Sequence, residues 1–166
     1  MDIKNYRQRI QAKDSNVPIV LVVEDEEDNL LYISHALILL KHNFITATKG
    51  QTALDLATEY EIDLVILDLV LPDIHGLEVV SLLKQNELTQ NMPIIAVSGM
   101  TRQQDRDRAM NAGCDDYLDK PYFIDELDRK VKQYLPKSSF NKNFQGMMSN
   151  VFDLLKFHPK LQGFSV

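Results

Sequence analysis

The chain has 166 residues, 45% hydrophobic and 25% charged, with no uncharged apolar run near the roughly 18 residues of a membrane span and no signal-peptide-like N-terminus. Its net charge of −6 divides into +2 for residues 1–18, +3 for residues 136–166 and −11 for the segment between them, which argues against DNA as a partner. The single cysteine, Cys114, excludes a disulfide framework and a cysteine-based zinc site and favours a cytoplasmic location.

Five short apolar runs recur along the acidic segment. They cover Ile19–Val23 and residues 44–48, 64–67, 93–97 and 117–118. The first, third and fourth runs are continuously apolar and rich in Val and Ile, which is typical of strands buried on both faces of a parallel sheet. These runs therefore predict five strands.

The segments between and after these runs are predicted to be helices, most of them from apolar residues at helical spacing, whereas 103–111 is polar. They cover about 30–41, 53–57, 76–85, 103–111 and 123–135, and the last repeats Phe123, Leu127, Val131 and Leu135 every four residues. Gly113 follows the fourth segment, where a helix commonly ends on glycine. Strands that alternate with helices predict a (βα)₅ α/β domain over residues 18–135, with a doubly wound parallel sheet.

Two short extensions flank the predicted domain. Residues 1–17 precede it, and residues 136–166 contain a polar linker followed by an amphipathic helical pattern at 144–157. That pattern is consistent with a helix folded back on its own domain, a docking or dimerisation helix, or a disordered segment. The 31 residues after 135 are too few for a DNA-binding output domain and lack a basic recognition stripe.

Polar residues follow the predicted strands. Glu24 and Asp25 follow the first run, Asp68 the third, Ser98 the fourth and Lys120 the fifth. The carboxyl ends of parallel strands share one edge of a sheet, where ligands bind. Carboxylates about 4 Å apart repel by roughly 4 kcal/mol at an effective dielectric near 20, so the cluster needs cations. A lysine and Mg²⁺ held by the carboxylates satisfy that need.

Asp68 has a potential covalent role in this cluster. A carboxylate can attack phosphorus and form an acyl phosphate. Mg²⁺ and Lys120 would neutralise charge on the transferring phosphoryl group, and the Ser98 hydroxyl would donate a hydrogen bond to one of its oxygens. A second Asp-nucleophile class, the haloacid-dehalogenase-like phosphatases, needs another Asp two residues further on, where this chain has Val70.

Four blocks of the sequence resemble the receiver domains of two-component response regulators. They are VVEDE (22–26), LDLVLPDIHG (67–76), AVSG (96–99) and DYLDKP (116–121), in the family's order and separations. The resemblance covers about residues 19–135. It implies a flavodoxin-like fold with strand order 2-1-3-4-5.

The resemblance also implies roles for individual residues. Asp68 matches the phosphoacceptor, Asp25 a direct Mg²⁺ ligand, Glu24 a ligand that acts through water, and Val70 the residue whose backbone carbonyl completes the metal site. Lys120 matches the family's lysine, often followed by a cis peptide, here to Pro121.

Two further positions match the family's switch residues. Ser98 matches the switch hydroxyl and Tyr117 the aromatic residue whose ring turns inward when that hydroxyl moves toward the phosphoryl group. Read from the residues alone, Ser98 would be an ordinary strand-end hydroxyl and Tyr117 a packing residue.

The sequence thus predicts a stand-alone response regulator rather than an enzyme. A sensor histidine kinase or phosphotransfer protein would phosphorylate Asp68 with Mg²⁺ bound, and output would run through a downstream protein partner. The sequence leaves a homodimer open and predicts no DNA or membrane partner. The alternatives are a constitutive receiver scaffold and, less favoured because of Val70, an Asp-nucleophile phosphatase.

Overall fold

A computed structural model describes residues 17–100 and 102–135, in which strands and helices alternate. The elements are β1 (Ile19–Val23), α1 (Glu27–Leu39), β2 (Asn43–Ala47), α2 (Gly50–Glu59), β3 (Leu64–Asp68), α3 (Gly76–Gln85), β4 (Ile94–Ser98), α4 (Gln103–Ala112), β5 (Asp116–Asp119) and α5 (Ile124–Tyr134). All strand pairs are parallel, and the sheet order is β2-β1-β3-β4-β5, as predicted. The extension 136–166, including 144–157, and residues 1–16 lie outside the described residues.

The sheet is covered on both faces, which explains why its central strands are apolar throughout. In β1 the side chains of Leu21 and Val23 join a core cluster with α2, α3 and α4. Val20 and Val22 point to the opposite face and pack with α1 and α5. Successive side chains of a strand point to opposite faces, so a strand between two helical layers has no polar side. No helix within the described residues is long and apolar enough to cross a membrane.

The structure corrects some predicted boundaries. The strand predicted at 44–48 lies at Asn43–Ala47, and Asp68 and Ser98 are the last residues of β3 and β4 instead of following them. The four-residue spacing predicts Phe123 in the apolar stripe of the last helix. In the structure Phe123 precedes α5 in an extended conformation and is 78% exposed. A residue outside the helix does not share its periodicity, so the buried stripe begins at Leu127.

The predicted glycine at the end of α4 is confirmed. Gly113 adopts φ 114°, in the left-handed region where glycine has no steric penalty. The N–H groups of Gly113 and Cys114 donate to the carbonyls of Met110 and Ala109, at 3.1 Å each. The turn therefore ends α4 and directs the chain into β5.

We expect the stability of the domain to fall in mild acid because of His42, which lies between α1 and β2. Burial lowers the pKa of His42 below its usual 6.5, with Asp128 and Lys132 acting in opposite directions. Between the folded-state pKa and about pH 6.5, His42 is therefore protonated in the unfolded chain and neutral in the folded chain. The free energy of unfolding therefore has its highest value, as far as His42 is concerned, above about pH 6.5, and it decreases as pH falls toward the folded-state pKa.

The comparison of wild type with His42→Gln in urea unfolding tests this expectation. His42 Nε2 lies 3.9 Å from Asp128 Oδ1, and within the described part of the chain neither atom has a hydrogen-bond partner. Between about pH 7.5 and 5.5 the wild type should lose more stability than the variant. Equal losses would show that other groups cause the acid sensitivity.

Candidate functional site

The predicted site residues meet at the carboxyl edge of the sheet. Glu24 follows β1, Asp68 ends β3, Ser98 ends β4 and Lys120 follows β5. Glu24 and Ser98 are fully buried and Asp68 is 7% exposed. Asp25 is exposed to solvent. The edge therefore presents one accessible and two buried carboxylates.

We define the carboxylate cluster as Glu24, Asp25 and Asp68. One oxygen atom from each lies within 4.8 Å of the others. At such separations the repulsion between two carboxylates is on the order of 1–4 kcal/mol, depending on the effective dielectric. The cluster therefore requires compensating positive charge.

Lys120 supplies part of that charge. Its Nζ donates to Glu24 Oε2 at 2.7 Å and to Asp68 Oδ2 at 2.5 Å, and its side chain is 20% exposed. Burial by itself lowers the pKa of Lys120, but the two carboxylate contacts outweigh burial and raise it overall. Burial raises the pKa of Glu24, with Asp68 adding to the rise and Lys120 opposing it. The cluster thus has three carboxylates, and the ammonium group of Lys120 contacts two of them.

Amide groups add to the polar contacts of the buried carboxylates, among them the backbone N–H of Glu26, which donates to Glu24 Oε1 at 3.3 Å. The backbone N–H of Val70 donates to Asp68 Oδ1 at 2.8 Å, so both oxygens of Asp68 have a donor. The side-chain amide of Asn29 in α1 donates to Glu24 Oε1 at 3.2 Å. Nothing in the sequence analysis identified Asn29, because a contact between a strand end and the following helix depends on how the helix is rotated. The metal role of the Val70 carbonyl stays a prediction.

Asp73 lies in the same loop as Val70 but outside the carboxylate cluster. Its Oδ1 and Oδ2 accept hydrogen bonds from the backbone N–H groups of Gly50 and Gln51, at 2.8 and 3.0 Å. These bonds lower the pKa of Asp73, chiefly the one from Gln51. Asp73 therefore caps the N-terminus of α2.

Gly76 allows α3 to begin close to the backbone of Asp68 and Leu69. Its N–H donates to the carbonyl of Leu69 at 3.0 Å. A Cβ at this residue would lie 2.5 Å from Leu69 Cα and 2.8 Å from the carbonyl oxygen of Asp68. Both neighbours are backbone atoms, so only glycine permits this approach.

The variant Gly76→Ala is therefore expected to lower the free energy of unfolding by about 1–3 kcal/mol, as overpacking commonly does. Gly99→Ala is the matched control, since a Cβ there would meet nothing within 4 Å. Urea unfolding of both variants measures the difference. Equal stabilities would show that the loop after Asp68 moves aside without cost.

Ser98 and Tyr117 are joined through the backbone of Met100. Ser98 Oγ accepts a hydrogen bond from Met100 N–H at 3.1 Å, and Tyr117 OH donates to the Met100 carbonyl at 2.7 Å. Tyr117 is 1% exposed, so its ring points inward. Arg106, which the sequence analysis did not identify, places its guanidinium carbon 5.3 Å from the centre of that ring.

The Lys120–Pro121 peptide bond is cis, as the resemblance implied. The structure thus brings Glu24, Asp25 and Asp68 together with Lys120, and it joins Ser98 to Tyr117 through Met100.

Comparison with known proteins identifies similar chains. Residues 20–132 match the family model described as the response regulator receiver domain. The polar-differentiation response regulator DivK of Brucella ovis is 34% identical over 116 residues, which are 70% of this chain and 94% of DivK. A probable cyclic di-GMP phosphodiesterase of Vibrio cholerae is 30% identical over 154 residues, 93% of this chain. The matched segment spans only 34% of that second protein.

A solved structure resembles the fold of this chain. It is the receiver domain of a sensor histidine kinase from Pseudomonas aeruginosa, with a magnesium ion coordinated in its active site cleft. The TM-score is 0.67 and the identity 29%, over 71% of this chain and 97% of that one. The residues matched by the family model, 20–132, include the carboxylate cluster.

Proposed function

The chain belongs to the response regulator receiver domain family, and from that membership we propose that it accepts a phosphoryl group on Asp68 from a sensor histidine kinase or phosphotransfer protein. The observation that carries the proposal is the contact of Lys120 with both Asp68 and Glu24 beside the accessible Asp25. A surface aspartate in a turn would have no need of a half-buried lysine shared with a second carboxylate.

The proposed transfer is a nucleophilic displacement at phosphorus. An oxygen of Asp68 forms the new O–P bond, and the P–N bond to the donor histidine breaks with its electron pair going to the imidazole, which retains a proton. Lys120 remains beside the carboxylate and neutralises charge on the phosphoryl group. The Ser98 hydroxyl donates to a phosphoryl oxygen in the product.

The residues at the site fit a hard divalent cation. The carboxylate cluster offers oxygen ligands only, and Lys120 balances one of its three negative charges. Mg²⁺ prefers such ligands together with water and phosphoryl oxygen. Asp25, Asp68 and, through water, Glu24 would hold the ion with the Val70 carbonyl. When bound, the ion would neutralise charge on the phosphoryl oxygens.

The proposed output is a phosphorylation-dependent contact with a protein partner, not an enzymatic reaction or DNA binding. A charge change at Asp68 would act through Ser98 and Tyr117 on α4, β5 and α5. DivK, which the chain nearly spans, is named a response regulator, which supports this class. The buried reduced Cys114 is compatible with a cytoplasmic location.

The test is the intact mass of the protein after incubation with acetyl phosphate. With Mg²⁺ we expect a single phosphoryl adduct that is lost in base, and with excess EDTA we expect none. A folded protein that binds Mg²⁺ yet forms no adduct from either acetyl phosphate or a phosphorylated histidine donor would contradict the proposal. That result would favour the constitutive scaffold.

A further inference from the structure

Tyr117 is enclosed by contacts from two segments outside its own strand. Its hydroxyl is held by the Met100 carbonyl, in the segment between β4 and α4. Arg106 of α4 lies against the ring, and its Nη2 also donates to the Tyr117 carbonyl at 3.3 Å. The ring is thus fixed at its hydroxyl end and on its face.

Arg106 makes these contacts from an otherwise exposed position on α4. The Arg106 residue as a whole is exposed, while Tyr117 beneath it is 1% exposed. The guanidinium therefore stands between the ring and solvent. A cation over an aromatic face is attracted by the ring's negative quadrupole, and the bond to the carbonyl of the same residue fixes its orientation.

The contacts connect α4 to the phosphoacceptor edge of the sheet. The Met100 carbonyl accepts a hydrogen bond from the Tyr117 hydroxyl, and the Met100 N–H donates one to Ser98 Oγ. Ser98 is the hydroxyl proposed to bind the phosphoryl group. A continuous set of contacts thus joins the site to the surface of α4 through Ser98, Met100, Tyr117 and Arg106.

We propose that Arg106 is a positioning residue that holds Tyr117 in its inward orientation and so biases the receiver toward the conformation that binds a phosphoryl group. The first part stands on the contacts of Arg106 alone. The second part rests on the proposed function, since it requires that Ser98 bind a phosphoryl oxygen. Loss of Arg106 then weakens phosphoryl binding without touching any residue at the carboxylate cluster.

Nitration of tyrosines by tetranitromethane, read by peptide mass mapping, measures the first part without a phosphoryl donor. In Arg106→Ala we expect the nitration rate of Tyr117 to rise about two- to fivefold, the factor that a cation–π contact at an exposed site corresponds to. Tyr32, which is 40% exposed, serves as an internal standard whose rate should not change. Arg106→Lys should fall between wild type and alanine.

Arg108→Ala is the matched control variant. Arg108 lies on the same helix, and its side chain is 70% exposed and 3.8 Å from Asp105. The variant Arg108→Ala removes the same charge and introduces the same helix propensity as Arg106→Ala. The nitration rate of Tyr117 in Arg108→Ala should therefore equal that of wild type. Equal rates in Arg106→Ala and Arg108→Ala would overturn the proposal. So would a parallel rise at Tyr32 and Tyr117, which would indicate general loosening of the fold.

Titration with beryllium fluoride and Mg²⁺, a phosphoryl analogue, measures the second part at equilibrium. By thermodynamic linkage Arg106→Ala should bind the analogue more weakly, by the factor by which the inward population of Tyr117 falls and so by at most about fivefold. Unchanged affinity beside faster nitration would overturn the coupling to the site. Absence of an adduct in wild type with both acetyl phosphate and a phosphorylated histidine donor would instead contradict the proposed function and leave the nitration result standing.

Discussion

The variant Asp68→Asn is expected to form no phosphoryl adduct with acetyl phosphate and Mg²⁺, where the wild type forms one. The amide nitrogen and oxygen of Asn are poor nucleophiles toward phosphorus, and the variant keeps the size of the side chain. It also removes one negative charge of the carboxylate cluster, so its Mg²⁺ affinity, measured by calorimetric titration, should fall. Intact mass before and after treatment with base measures the adduct.

Asp73→Asn is the control for this experiment. It makes the same chemical change five residues further along the chain, in the loop after β3, but the carboxylate of Asp73 faces the N-terminus of α2 instead of the cluster. We expect its adduct to equal that of wild type. An adduct of wild-type yield in Asp68→Asn would place the acceptor at another residue, and partner binding that persists in this variant would favour a scaffold.

The variant Lys120→Met is expected to lower the free energy of unfolding by about 3–5 kcal/mol in Mg²⁺-free buffer. Glu24 is fully buried and Asp68 nearly so, and both lose the counterion that they share. Methionine keeps much of the side chain's length without its charge. Urea unfolding in the presence of EDTA measures the loss.

Magnesium should reverse part of that loss. A cation that binds only the folded state stabilises it by mass action, and the variant leaves all three negative charges of the cluster for the ion. We therefore expect added Mg²⁺ to raise the unfolding free energy of Lys120→Met more than that of wild type. An equal rise in both proteins would show that Lys120 does not share its carboxylates with the ion.

Lys132→Met is the control for the buried contact. Lys132 lies 2.6 Å from Asp128 one helical turn away, with a side chain that is 47% exposed. Such an exposed pair is worth about 0.3–0.5 kcal/mol, so this variant should unfold close to wild type. A loss in Lys120→Met as small as in Lys132→Met would contradict the buried role of Lys120.

The sequence by itself predicted the fold and which residues meet at the site. The apolar runs of β1, β3 and β4 could be recognised because both faces of a central parallel strand are buried. Residues directly after those runs lie at one sheet edge whatever the details of packing, because all the strands point the same way. The sequence therefore identified Glu24, Asp68 and Ser98 as neighbours, together with Lys120 after the fifth run.

Only the tertiary structure decided which atoms of those neighbours touch. Lys120 contacts Glu24 and Asp68, which are 96 and 52 residues away in sequence, through specific carboxylate oxygens. Such pairing depends on strand register and side-chain conformation, which local spacing does not encode.

The helix contacts were also decided by the tertiary structure. Two of these contacts are that of Arg106 with the Tyr117 ring and that of Asn29 with Glu24. They depend on the rotation and position of α4 and α1 on the sheet. The exposure of Phe123 depends on the residue at which α5 begins. Periodicity predicts that a helix has an apolar face, but the packing of the whole domain determines where its polar side chains and its ends lie.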